Sequence, residues 1–89
     1  MHTDEYEISL SREVGVCDGL MRKYQRLLAV MEARHRMTTA DFMDQSRLGG
    51  LPATSDFTAW RDGVDALRHW SSTRDEYERL LSIMKLSAS

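Results

Sequence analysis

Cysteine and proline each occur once in this 89-residue chain, and each scarcity excludes something. The single Cys17 rules out an internal disulfide framework and suits a reducing compartment, so a cytoplasmic location is expected. The single Pro52 leaves long stretches free to be helical; it lies beside Gly49, Gly50 and Leu51, the strongest break in the chain. No apolar run approaches the ~20 residues that span a bilayer, and Met1-His2-Thr3-Asp4-Glu5 is unlike a signal peptide, so no membrane association is expected. Neither charge dominates: 12 basic against 14 acidic residues leave a net −2, which offers no overall attraction to nucleic acid. No Gly-rich phosphate loop and no nucleophile elbow is present. The length suits one domain over 1–89, and a chain this short buries only ~60% of its unfolded surface, so its private core is thin.

Sustained alternation of apolar and polar residues is also missing, which argues against a sheet. The apolar spacing is three and four instead. Leu10, Val14, Cys17, Met21, Tyr24, Leu28, Met31 and His35 follow at alternating steps of 4 and 3, an a/d seam that Leu20 and Leu27 widen on one flank. A first helix is expected over 10–36, with an earlier turn from Thr3 and fraying or bending at Gly15 and Gly19, each costing ~1 kcal/mol relative to alanine. Thr38 reads as the cap of a short helix over 38–47. Asp41 favours its positive end, Met37 and Phe42 form a hydrophobic staple, and Gly49-Gly50 closes it. Ser55 or Thr54 caps a third helix over 55–86 that carries Phe57, Trp60, Val64, Leu67 and Trp70. Thr73 with Glu76 reads as a capping box, so a kink near 71–73 competes with continuous helix; the unbroken phase of 70, 77 and 84 favours continuity. Ser87-Ala88-Ser89 reads as a frayed tail.

The fold class is therefore all-α: a long, a short and a long helix forming an antiparallel helical hairpin. A straight helix over 10–36 measures about 40 Å at ~1.5 Å per residue, whereas a compact globule of this length is only about 30 Å across. One hairpin covers one side of each seam, so Leu20, Leu27, Val30, Trp60 and Trp70 are expected to stay partly bare, and a dimeric helical bundle is the economical outcome. Residues 1–18 carry Asp4, Glu5, Glu7, Glu13 and Asp18 against Arg12 alone; residues 22–36 carry Arg22, Lys23, Arg26, Arg34 and Arg36 against Glu32 alone. Acid then base complements the helix dipole, and equally an antiparallel second copy.

Chemistry-bearing candidates are few. The basic cluster at 22–36 faces away from the seam, where it reads as a solvated or partner-facing surface; no aromatic interleaves it, so nucleic acid is not the expected partner. Glu32 and His35 stand at i, i+3 and Asp65 and His69 at i, i+4, but a di-iron bundle needs two Glu-x-x-His pairs plus two further glutamates. Cys17 lies on the apolar stripe and reads as a small buried hydrophobe. The six methionines suit an irregular core, and equally a surface that adapts to a partner. No residue set is assigned to catalysis, a cofactor or a metal.

Glu32-Ala33-Arg34-His35-Arg36-Met37-Thr38-Thr39-Ala40-Asp41-Phe42, then Gly50-Leu51, then Asp56-Phe57-Thr58-Ala59-Trp60, resembles a group of short, uncharacterised bacterial and archaeal helical proteins. In these a long helix ends in Met-Ser/Thr, a short helix carries Glu/Asp-Phe, and a Gly-x-Leu loop leads to Asp-Phe-x-x-Trp. The resemblance covers roughly residues 24–70. It implies a protein similar to the small antitoxin half of a toxin–antitoxin pair, a helical protein that masks a toxin. The resulting expectation is a non-enzymatic interaction protein, with Arg22, Arg26, Trp60 and Trp70 as candidate partner-binding residues. The rival expectations are a stand-alone structural homodimer and a metal-binding or enzymatic helical bundle.

Overall fold

The computed structural model of the protein describes the backbone of residues 2–88 and the side chains of residues 5–86. Three helices account for the fold: α1 (His2–His35), α2 (Thr39–Arg47) and α3 (Ser55–Ala88), with no strand among the described residues. None of these helices is long and apolar enough to cross a membrane.

The helix ends follow from local hydrogen bonding. Thr38 adopts an extended backbone, and its hydroxyl accepts from the Asp41 N–H at 3.1 Å, starting α2. Thr54, rather than Ser55, caps α3: its hydroxyl accepts from the Phe57 N–H at 3.1 Å. α2 ends in a Schellman turn, with Gly49 at φ 73° and the Gly50 N–H donating to the Gln45 carbonyl at 3.1 Å. α1 ends in the same type of turn, where the Met37 N–H donates to the Glu32 carbonyl at 3.3 Å, but the left-handed position at φ 50° belongs to Arg36. A side chain there costs about 1–2 kcal/mol that glycine avoids.

α1 begins ahead of Leu10, and it passes through Gly15 and Gly19 without interruption. α3 likewise runs through Ser71-Ser72-Thr73 as one helix. The capping box considered at Thr73 does not form, because the Thr73 hydroxyl donates back to the His69 carbonyl at 2.9 Å inside the helix. The segment read as a tail is helical as far as Ala88, and Ser89 lies outside the described residues.

α1 and α3 pack along their length. Arg34 meets Asp56, Leu27 abuts Gly63, Asp18 pairs with Arg74, and Leu10 shares a cluster with Leu81. Rising numbers on one helix thus meet falling numbers on the other. The product is a rod of 55 × 20 × 17 Å with a radius of gyration of 17.6 Å, well beyond the ~12 Å of a compact chain of this length. The rod needs no globule to contain it, which resolves the mismatch of lengths noted from the sequence.

Two apolar clusters hold the rod at its ends. Near the connection, Met31, Phe42, Trp60 and Val64 are buried, with Met37 and Phe57 against them. At the far end Leu10, Val14 and Leu81 are buried beneath Tyr77 and Met84. Between them the seam holds the buried Cys17, beside the Asp18–Arg74 ion pair.

Candidate interaction surface

The four candidate partner residues fall in different environments. Arg22 and Arg26 are exposed on α1. Trp70 is half-buried, with the His69 ring edge-on at 4.8 Å. Trp60 corrects the sequence-based expectation: it is 0% exposed and has no surface to offer a partner. The reason is α2, which folds over it. Phe42 stacks on the Trp60 ring at 4.1 Å and 1°, and the indole N–H donates to the Thr39 hydroxyl at 3.1 Å. Heptad phase placed Trp60 on the seam but could not count the short helix as its cover.

The same end of the rod assembles the densest polar group. Asp56 accepts from Arg34 Nη1 at 2.9 Å and lies 2.9 Å from His35 Nε2. Hydrogen bonding from Arg34 first, then from His35, holds the Asp56 carboxyl below its ordinary range. The His35 ring packs on Phe57 at 4.9 Å and on Trp60 at 5.7 Å. Glu32 is occupied elsewhere, accepting from the Thr39 N–H at 2.7 Å. Glu32, Arg34, His35, Asp56 and the Trp60 indole thus each fasten one helix to another. Sequence reasoning missed Asp56 as the partner of both Arg34 and His35, since 22 and 21 residues separate them.

Other candidate chemistry is dispersed. The basic cluster is not a uniform patch, because Arg34 is neutralised by Asp56 while Arg22, Lys23, Arg26 and Arg36 stay exposed. Asp65 and His69 are exposed, and among the described residues no group of three or more His, Cys, Asp or Glu side chains is placed to hold a metal ion. Cys17 is 1% exposed; burial, then the charges of Glu13 and Asp18, push its thiol above the usual range, with Arg74 opposing. A buried thiol of raised pKa is a poor nucleophile at neutral pH.

What remains is apolar surface. Tyr6, Val16 and Val30 on α1 are 59%, 49% and 50% exposed, with Leu20 and Leu27 half-buried beside them. Trp70, Tyr77, Leu80 and Met84 on α3 are half-buried too. No protein-family model, curated protein or solved structure matches the chain.

Proposed function

We propose that the protein is a non-enzymatic protein-interaction module: an antiparallel helical hairpin that self-associates as a homodimer and masks a second protein, in the manner of an antitoxin. One observation carries the reading. After α1, α2 and α3 have packed, half-exposed Tyr6, Val16 and Val30 remain on a rod whose own core is confined to two small clusters. Such side chains on a small protein are covered most economically by another protein. The exposed Arg22 and Arg26 add a basic face that an acidic partner can meet without disturbing the core.

Two measurements test the reading. Light scattering at about 100 µM should return twice the chain mass of 10.3 kDa, a concentration at which even a modest dimer forms. Co-expression with the product of an adjacent reading frame should yield a co-purifying complex and relieve any growth defect that product causes. A chain-mass particle at that concentration rejects the homodimer. A dimer that leaves the neighbouring product free and toxic rejects the masking role and leaves a structural homodimer.

A further inference from the structure

We propose that the second copy docks on one defined face of the α1–α3 pair, across a two-fold axis perpendicular to the helices at the level of Asp18 and Ser71-Ser72, forming a four-helix bundle. The inference rests on the self-association put forward above and specifies its surface and register.

The choice of face follows from where α2 lies. α2 is fastened to one side of the helix pair through Glu32 on α1 and through Arg61, which bonds Ser46, and Val64 on α3. By helical phase, Leu27 on α1 and Ala59 and Ala66 on α3 lie on the flank turned away from Glu32, Arg61 and Val64.

On α1 that flank carries a second row at alternating steps of 3 and 4, from Tyr6 to Val30. Laid antiparallel on itself about residue 18, the row pairs Val16 with Leu20 of the second copy, Glu13 with Lys23, Ser9 with Leu27, and Tyr6 with Val30. The two charged members of the row fall opposite each other, twice by symmetry. Among the described residues neither belongs to an ion pair, and the Lys23 ammonium rests 5.3 Å from the Tyr24 ring.

On α3 the matching row runs from Ala59 to Met84. Laid antiparallel on itself between residues 71 and 72, it sets small against large: Ala59 against Met84, Ala66 against Tyr77, and Thr73 against Trp70, while Gly63, level with Leu80, is buried against Leu27 and Leu28 of its own chain. This alternation lets facing layers interdigitate. The Thr73 hydroxyl is already satisfied by the His69 carbonyl, so it tolerates such a contact.

The two registers come from different helices, yet they demand one axis. Counting nine residues back along α1 and nine forward along α3 from the Leu27–Gly63 contact puts residue 18 level with residue 72. The α3 row asks for a centre between 71 and 72. Stacking α1 on α3 of the second copy instead would set Glu13 against Tyr77 and Lys23 against Ala66, burying both charges unpaired. In the favoured arrangement Arg12 and Arg26 of opposite copies flank the Glu13–Lys23 layer on the outer rim, where water screens them.

The test is the dimer dissociation constant from sedimentation equilibrium, with circular dichroism as the check on folding. Glu13→Lys alone, and Lys23→Glu alone, each place like charges opposite twice and should weaken the dimer about a hundredfold. The double variant Glu13→Lys with Lys23→Glu should restore it, a rescue that no other register supplies. Ala66→Glu, on the other helix and half-buried in the single chain, should also dissociate the dimer with helix content unchanged. A wild-type protein that stays monomeric rejects both this inference and the self-association beneath it. A wild-type dimer indifferent to the single reversals and to Ala66→Glu, or a double variant as weak as the singles, rejects the face and register alone.

Discussion

Truncating Phe42 to alanine tests whether the short helix is docked as described. Its ring is 0% exposed, stacked on Trp60 at 4.1 Å and tilted against Phe57 at 5.6 Å. Removing a fully buried phenyl forfeits about 2–3 kcal/mol of transfer free energy. The cavity it leaves, only partly collapsed, adds on the order of 1–2 kcal/mol. The sum is a loss of ~3–5 kcal/mol, the range measured for such truncations. α2 has no independent means of survival, since a helix of 9 residues is unstable alone in water. The variant should therefore lose the α2 contribution to the far-ultraviolet circular dichroism signal before the global transition, and Trp60 emission should shift to the red as the indole meets water. Urea unfolding at one fixed protein concentration measures the loss, since apparent stability depends on concentration for any protein that associates. A change below ~1 kcal/mol, with Trp60 emission unmoved, would refute the docking of α2 and the burial of Trp60 together.

Leu28→Asp should disrupt folding, because it forces an unpaired charge into the contact around Met31 and Gly63, whereas Arg22→Glu with Arg26→Glu should leave helix content and melting temperature almost unchanged. If the basic face binds the partner, that double reversal abolishes complex formation in a co-purification assay; if it unfolds the chain, α1 is rotated from the orientation described. Arg36→Gly should raise stability by about 1 kcal/mol in a urea melt, because glycine occupies the left-handed φ of 50° without strain; no gain would mean that α1 does not end in that turn. The Asp56 carboxyl titrates lower in the folded protein than unfolded, so its stabilising contribution is fully present above its ordinary pKa of 3.8 and is lost as pH falls through the depressed folded value. Asp56→Asn should flatten that acid limb of a melting-temperature profile, and a limb of unchanged slope would show that the Arg34–His35–Asp56 group does not couple to folding.

Short-range interactions explain what was legible before the fold. Thr38 could be read as a cap because its hydroxyl reaches the Asp41 N–H only three residues on. The close of α2 was readable because Gly49 alone fits a left-handed turn at no steric cost. The seam from Leu10 to His35 was readable because a 3.6-residue period puts those positions on one stripe whatever covers it. The ambiguity at Ser71-Ser72-Thr73 was real at that level, since a threonine can cap a helix or bond back within one; the continuous backbone of α3 selected the second.

The sequence by itself determined three helices, two of their caps and the seam on α1, because each depends on residues within about four positions of one another. Only the tertiary structure decided that Trp60 is sealed beneath Phe42, that Asp56 serves Arg34 and His35 at once, and that the chain is a 55 Å rod. It also decided that α2 covers the flank carrying Glu32, Arg61 and Val64, and that Tyr6, Val16 and Val30 on α1 stay half-exposed. A helical period repeats equally around every face of the cylinder. Which faces meet is settled by contacts between residues far apart in the chain, and no local spacing encodes them.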